Sequence, residues 1–308
     1  MLKTFIGVAV GIIAISFAAI FIKFCDDVPS LMIASYRLTI SSLILLIIAR
    51  SRGVRISLFT KRQLLGGMLG GLFLSLHFSL WISSLKFTSV ASSVVLVTTN
   101  PIFVGIFSYI FFKERQPPKL IVGTVLSFSG SIVLAVGDSG LQGLTIENPS
   151  YLLGDTLAVL GAVMASGYLM VGSQLREEMD VVSYTAIVYS FSAFFLLITS
   201  ISSGIAFTGY KTSSYIFMLL LAIVPQLIGH TAINWALKHL KTSMVAITIL
   251  GEPIGASILA YLIFKETITS FQGIGIILIF LAIIIASKKG KKFPHIPPVT
   301  ALPKNDVC

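Results

Sequence analysis

The chain has 308 residues, of which 56% are hydrophobic and 11% charged, and its mean hydropathy is +0.97. A soluble domain carries about 25% charged residues, so too little polar side chain is present to cover a globule in water, and the chain reads as an integral membrane protein. The net charge of +10 is a nucleic-acid signal only if it is clustered on a soluble face, and its placement along the chain shows otherwise.

A bilayer-spanning helix needs about 20 mainly apolar residues. Ten such segments can be placed: 4–24, 31–49, 64–86, 89–112, 119–137, 152–173, 182–203, 213–236, 242–264 and 269–287. The first resembles a signal sequence behind Lys3. Its apolar run, Phe5 to Ile22, exceeds the about 7–15 residues of a signal's apolar region, and it is read as a retained helix. The second carries Ala34-Ser35-Tyr36-Arg37. The third opens with Gly66/Gly70 and Gly67/Gly71, two overlapping small-xxx-small patterns that let helices approach closely. Later in that segment His77 and Trp81 share a face at i, i+4. The fourth holds Asn100-Pro101 and ends in Phe112-Lys113-Glu114.

The longest connection, GDSGLQGLTIENPS at 137–150, lies at mid-chain and is the natural linker between two five-helix halves. The sixth segment opens with Gly154-Asp155, an acid suited to a helix N-terminus, and carries Tyr168. The eighth contains Pro225, Gln226, His230, Asn234 and Trp235. The ninth holds Glu252-Pro253 and ends in Phe264-Lys265-Glu266. Residues 1–140 form a first repeat and 141–289 a second. Residues 290–308 are a Pro-rich polar tail expected to be disordered and cytoplasmic. Cys25 and Cys308 belong to no CxxC pair, so neither a disulfide framework nor a metal site is expected.

Orientation follows from Lys and Arg in short loops. With the N-terminus inside, 17 of the 22 basic residues fall on the inner side, 4 on the outer, and Arg37 within a helix. This supports cytoplasmic N- and C-termini. The +10 is then a topology signal, and no nucleic-acid partner is expected.

Shifting the chain by 152 residues aligns 101–128 with 253–280: Pro101 meets Pro253, Tyr109 meets Tyr261, and Phe112-Lys113-Glu114 meets Phe264-Lys265-Glu266. Upstream the offset is 154, and Trp81 meets Trp235. An odd number of helices per half makes the repeat inverted in the membrane. Inverted repeats are a transporter architecture, with the substrate site near mid-membrane between the halves.

These features together resemble the drug/metabolite transporter superfamily, EamA type: ten helices in two halves, the Pro-to-Phe-Lys-Glu endings of the fourth and ninth, the Ala-Ser-Tyr-Arg of the second, and the Gly154-Asp155 start of the sixth. The resemblance covers about residues 4–287. It implies a secondary carrier of small organic solutes, and leaves the solute open among amino acids, drugs, nucleotide-sugars, sugar phosphates and S-adenosylmethionine.

Intramembrane polar residues are the candidate site. Ionisable groups there are costly, line cavities and find partners. Glu252 is a candidate proton carrier. The alternative is that Asn100-Pro101 and Glu252-Pro253 mark helix kinks with polar interhelical contacts. Arg37 has two readings: a bidentate grip on a substrate carboxylate, or a structural clamp within the bundle. His77 with Trp81, and His230 with Asn234 and Trp235, offer stacking and hydrogen bonds from equivalent helices of the two halves. Packing with an aromatic-belt role is the alternative. Tyr168 and Gln226 complete the set. No Lys lies at a helix centre, which disfavours doubly charged phosphates and favours neutral, zwitterionic or cationic solutes.

No nucleotide-binding GxxxxGK[ST] is present, so an ion gradient, protons among them, or a counter-substrate would drive transport. No HExxH or clustered catalytic set points to a membrane enzyme, and no ring of like charge points to a channel. The expectation is a multi-pass inner-membrane transporter that needs no cofactor and works as a monomer or homodimer.

Overall fold

The computed structural model describes residues 2–54, 59–88, 90–113, 116–139, 149–264 and 270–287. Among these the regular structure is entirely helical: α1 (Leu2–Lys23), α2 (Ser30–Ser51), α3 (Lys61–Ser84), α4 (Val90–Val97), α5 (Asn100–Phe112), α6 (Pro118–Ser139), α7 (Pro149–Glu178), α8 (Val181–Ser202), α9 (Thr212–Leu221), a π-helix (Ala222–His230), α10 (Thr231–Ala236), α11 (Thr242–Ile249), α12 (Gly251–Phe264) and α13 (Ser270–Ser287). Seven helical segments within the described residues are long and apolar enough to cross a membrane, and two shorter apolar ones accompany them, Asn100–Phe112 and Gly273–Ile285. The tail, most of the mid-chain linker, and Glu114, Lys265 and Glu266 lie outside the described residues.

Helices dominate because a bilayer offers backbone groups no water, and a helix satisfies them within itself. The polarity of the fold is reversed relative to a soluble protein. Ile47, Phe111 and Leu262 are exposed on the outside, while Arg37, Gln226 and Asn234 are fully buried. Several helix starts use side-chain caps. Thr60 and Gln63 form a reciprocal capping box at α3, and Asp180 accepts from the Val182 and Ser183 N–H groups at α8.

Two segments expected to be continuous are broken. α4 ends at Val97 and α5 starts at Asn100; α11 ends at Ile249 and α12 starts at Gly251. The cause is local. Pro101 and Pro253 have no N–H to return to the carbonyls of Val97 and Ile249. At the first break the Thr98 and Thr99 hydroxyls bond back to the Val94 and Leu96 carbonyls. The eighth segment also departs from a plain helix, with nine π-helical residues around Pro225. The α5 terminus is unusual as well: Lys113 is left-handed at φ 54°, and its N–H bonds the Ser108 and Tyr109 carbonyls.

The packing carries the repeat. Exchange of the halves turns α1 into α7, α2 into α8, α3 into α9–π–α10, and α4, α5 and α6 into α11, α12 and α13. Under that exchange the α2–α8 and α6–α13 contacts map onto themselves. The α3–α7 contact becomes α1 against the π-helix and α10, and α5–α7 becomes α12–α1. A set of contacts unchanged by the exchange is what a pseudo-two-fold axis produces. Ser35, near the start of α2, bonds Ser200, near the end of α8, at 2.8 Å, so these counterpart helices run antiparallel where they meet.

One hydrogen-bond motif occurs twice. The Ser16 hydroxyl of α1 donates to the Glu252 carbonyl at 3.3 Å and its own Ile12 carbonyl at 2.8 Å. The Ser166 hydroxyl of α7 donates to the Asn100 carbonyl at 3.1 Å and its own Ala162 carbonyl at 2.7 Å. In both halves a first-helix serine therefore ties down the residue just before the proline.

Candidate functional site

A cavity of about 50 Å³ lies where the halves meet. Its polar wall draws on both: Arg37 from α2, His77 and Trp81 from α3, Thr98 and Asn100 from the first helix break, Tyr168 from α7, His230 from the π-helix, and Glu252 from α12. Apolar residues such as Ile15, Leu169 and Ile233 fill the rest. Both broken helices therefore end at the cavity. Breaks expose backbone ends and let residues from the middle of a span face inward.

Arg37 is fully buried and held on two sides. Its Nε donates to Gln226 Oε1 at 2.8 Å, and its guanidinium carbon stands 4.1 Å above the Phe78 ring centre. Both terminal Nη atoms lack a hydrogen-bond partner. The Trp81 Nε1 and Asn100 Oδ1 atoms are likewise buried without partners. Leaving such groups unmade costs about 1–3 kcal/mol each, so a visiting ligand or water that meets them is favoured.

The aromatic side of the cavity centres on Phe78. His77 lies 4.8 Å and His230 5.3 Å from its ring centre, and His77 stacks nearly parallel on Trp81 at 6.1 Å. His77 Nδ1 is 3.0 Å from the Gly161 carbonyl. A carbonyl only accepts, so Nδ1 donates to it, which fixes the ring's orientation.

Gln226 and Asn234 do not line the cavity but support it. Asn234 Nδ2 donates to the Tyr168 hydroxyl and, at 3.4 Å, to Tyr189; the Tyr189 hydroxyl donates to the Gln226 carbonyl at 3.5 Å. A polar chain thus runs from Tyr168 through Asn234, Tyr189 and Gln226 to Arg37, across both halves. Trp235 stands apart. It packs on α1 at Gly7 and tilts against His239 at 4.6 Å. The two tryptophans that pair in sequence therefore have different surroundings. Sequence reading did not single out Phe78, Thr98, Tyr189, Ser16 or Ser166. The serines carried one available signal, a separation of 150 residues that nearly matches the repeat.

Two exposed ion pairs lie at helix ends. Lys211 at the start of α9 pairs with Asp26 at 3.0 Å, and Arg62 at the start of α3 pairs with Glu178 at 2.8 Å. Asp27 accepts from the Lys211 N–H at 2.7 Å and the Ser214 hydroxyl at 2.5 Å. Those hydrogen bonds hold its carboxyl below the ordinary 3.8, the Ser214 bond most of all.

The comparison that decides the family covers nearly the whole length. The EamA-like transporter family matches residues 2–136 and again 152–288. This chain belongs to the EamA-like transporter family. An uncharacterized transporter of Clostridium kluyveri is 26% identical over 239 residues, 75% of this chain and 76% of that protein. The Bacillus subtilis uncharacterized transporter YyaM is 22% identical over 257 residues, 82% and 83% of the two chains. The human solute carrier family 35 member G1 is 25% identical over 171 residues, 54% of this chain and 46% of its own length. A solved crystal structure superposes with a TM-score of 0.74 at 18% identity, covering 91% of this chain and 97% of that one, a likeness of fold. This EamA-like protein is therefore a multi-pass membrane transporter with the family's two-repeat architecture.

Proposed function

We propose that this transporter is a secondary carrier that moves a small organic metabolite across the inner membrane by alternating access, with the cavity between the halves as its substrate site. The observation that carries this reading is the position of partnerless polar atoms (Arg37 Nη, Trp81 Nε1, Asn100 Oδ1) at the junction of two exchangeable halves. The antiparallel meeting of α2 and α8 at Ser35 and Ser200 supports inversion of the halves. Inverted halves can trade conformations and so open the site first to one face and then to the other. The ten-span topology with cytoplasmic termini belongs to this reading, supported by the 17-to-4 distribution of Lys and Arg.

A cavity of about 50 Å³ is water-sized rather than metabolite-sized, a water taking ~30 Å³ in the liquid, so parting of the halves would make room for the solute. Glu252, in the cavity wall, is the proposed proton-coupling group.

The experiment is counterflow in liposomes with labelled amino acids, nucleosides and S-adenosylmethionine, with and without a pH gradient. Saturable exchange of at least one solute is expected. Flux linear in solute concentration would favour a channel and refute the carrier. Glu252→Gln should abolish the response to the pH gradient, and an unchanged response removes Glu252 from that role.

A further inference from the structure

Resting on that reading, we infer that the site takes a zwitterion, with the two Nη atoms of Arg37 as the carboxylate subsite and the Glu252 side chain as the ammonium subsite. The argument begins with the geometry of Arg37. Nε is used by Gln226, and one ring face by Phe78. Only the terminal pair of nitrogens is left over, and both are buried without a partner. A guanidinium fixed at Nε and backed by a ring presents those two N–H donors as a fork. A planar carboxylate fills such a fork with two parallel hydrogen bonds.

The opposite charge is in the same small cavity. Glu252 lines it along with Arg37. The Arg37 Nη atoms have no hydrogen-bond partner, so Arg37 and Glu252 face one space without closing on each other. A zwitterion inserted between them compensates both charges at once. A bare anion or a bare cation leaves one of them buried and unpaired, which is strongly unfavourable. The π-face of Trp81, stacked on His77, and the partnerless Trp81 Nε1 and Asn100 Oδ1 are left for the solute's side chain. A doubly charged phosphate has only one cation here and is disfavoured.

The test uses the full-length protein in liposomes and three matched compound sets: neutral amino acids, their methyl esters (ammonium only) and their N-acetyl derivatives (carboxylate only). Amino acids should exchange with a half-saturating concentration at least about 10-fold lower than either derivative. Arg37→Gln should raise that concentration about 10- to 100-fold for the amino acid, the range for losing a hydrogen bond to a charged group. It should not weaken the methyl ester, and should favour it by removing the cation that the ester leaves unpaired; the cycle of variant against ligand isolates the carboxylate contact. Equal losses for amino acid and ester would mean that Arg37 is only structural, and overturn the assignment. Should Arg37→Gln fail to fold, thermal stabilisation of the wild-type protein decides: the amino acids must shift the midpoint more than the ester or acetyl forms. Equal shifts from all three overturn the assignment. Saturable exchange of nucleosides but not of any amino acid also overturns it while the carrier reading survives. Absence of any saturable exchange ends both.

Discussion

Gly71 and Gly70 adjoin on α3 but face different neighbours, and alanine should separate them sharply. A Cβ on Gly71 would lie 2.6 Å from Phe191 Cβ and 2.9 Å from both the Val188 carbonyl oxygen and the Ser192 nitrogen of α8. Two of those atoms are backbone, so no side-chain rotation relieves the clash; α3 and α8 must part. Overpacking of a well-packed contact costs about 1–3 kcal/mol, and the upper end applies here. A Cβ on Gly70 meets methyl groups of Val171 and Val188 at 3.5 Å and the Tyr184 hydroxyl at 3.8 Å, all ordinary contacts. Replacing a glycine whose conformation alanine can adopt stabilises by about 0.4–1 kcal/mol through the unfolded chain. The two variants should thus differ by roughly 2–4 kcal/mol, or on the order of 5–10 °C in unfolding midpoint. Thermal unfolding in detergent, followed by intrinsic fluorescence, measures this. Because α3 also carries His77 and Trp81, Gly71→Ala should weaken transport affinity as well. Equal midpoints for the two alanines would refute the close approach of α3 and α8.

The matched serines give a symmetric prediction: Ser16→Ala and Ser166→Ala should destabilise by similar amounts, about 0.5–1 kcal/mol, as interhelical hydrogen bonds in membranes do. A large difference in unfolding midpoint would show that the repeated motif is not equivalent in the two halves. Tyr168→Phe removes an acceptor for buried Asn234 Nδ2 and should cost about 1–3 kcal/mol, whereas Tyr109→Phe, on an exposed side chain, should cost close to nothing; both are read by thermal unfolding. Asp27→Asn should destabilise the α1–α2 loop at neutral pH. Because the folded carboxyl titrates below its ordinary 3.8, its contribution is present above that value and lost as pH falls through the lowered one. The gap between wild type and variant should therefore close in acid, and a gap that widens there contradicts the hydrogen bonding to Ser214 and Lys211.

The third and eighth segments show where reading the sequence stopped. As counterparts they looked alike, each with a histidine and a tryptophan. α3 is a regular helix that turns His77 and Trp81 toward the cavity, while its counterpart passes through a π-helix and sends His230 to the cavity and Trp235 to α1. His77 and Trp81 are four residues apart and share a face, whereas His230 and Trp235 are five apart along a stretch that is α-helical beyond His230, and at about 3.6 residues per turn the fifth residue lies well around the helix from the first. The glycine pairs were read as packing devices, but not that Gly66 meets Leu175 of α7 while Gly67 meets Ile187 of α8.

What the amino-acid order determined by itself is the class of protein and its repeat. Long apolar runs have one stable answer in a bilayer, the helix, and the repeated Pro, Tyr and Phe at an interval of 152 need no partner to be recognised. What the tertiary structure decided is which polar groups meet. Arg37 and Gln226 are 189 residues apart in sequence yet bonded, and Ser16 reaches a carbonyl 236 residues away. Those contacts depend on helix rotation and crossing, which a uniformly apolar surface does not encode. A charge in a membrane must be compensated, but by whom is settled only when the helices have packed.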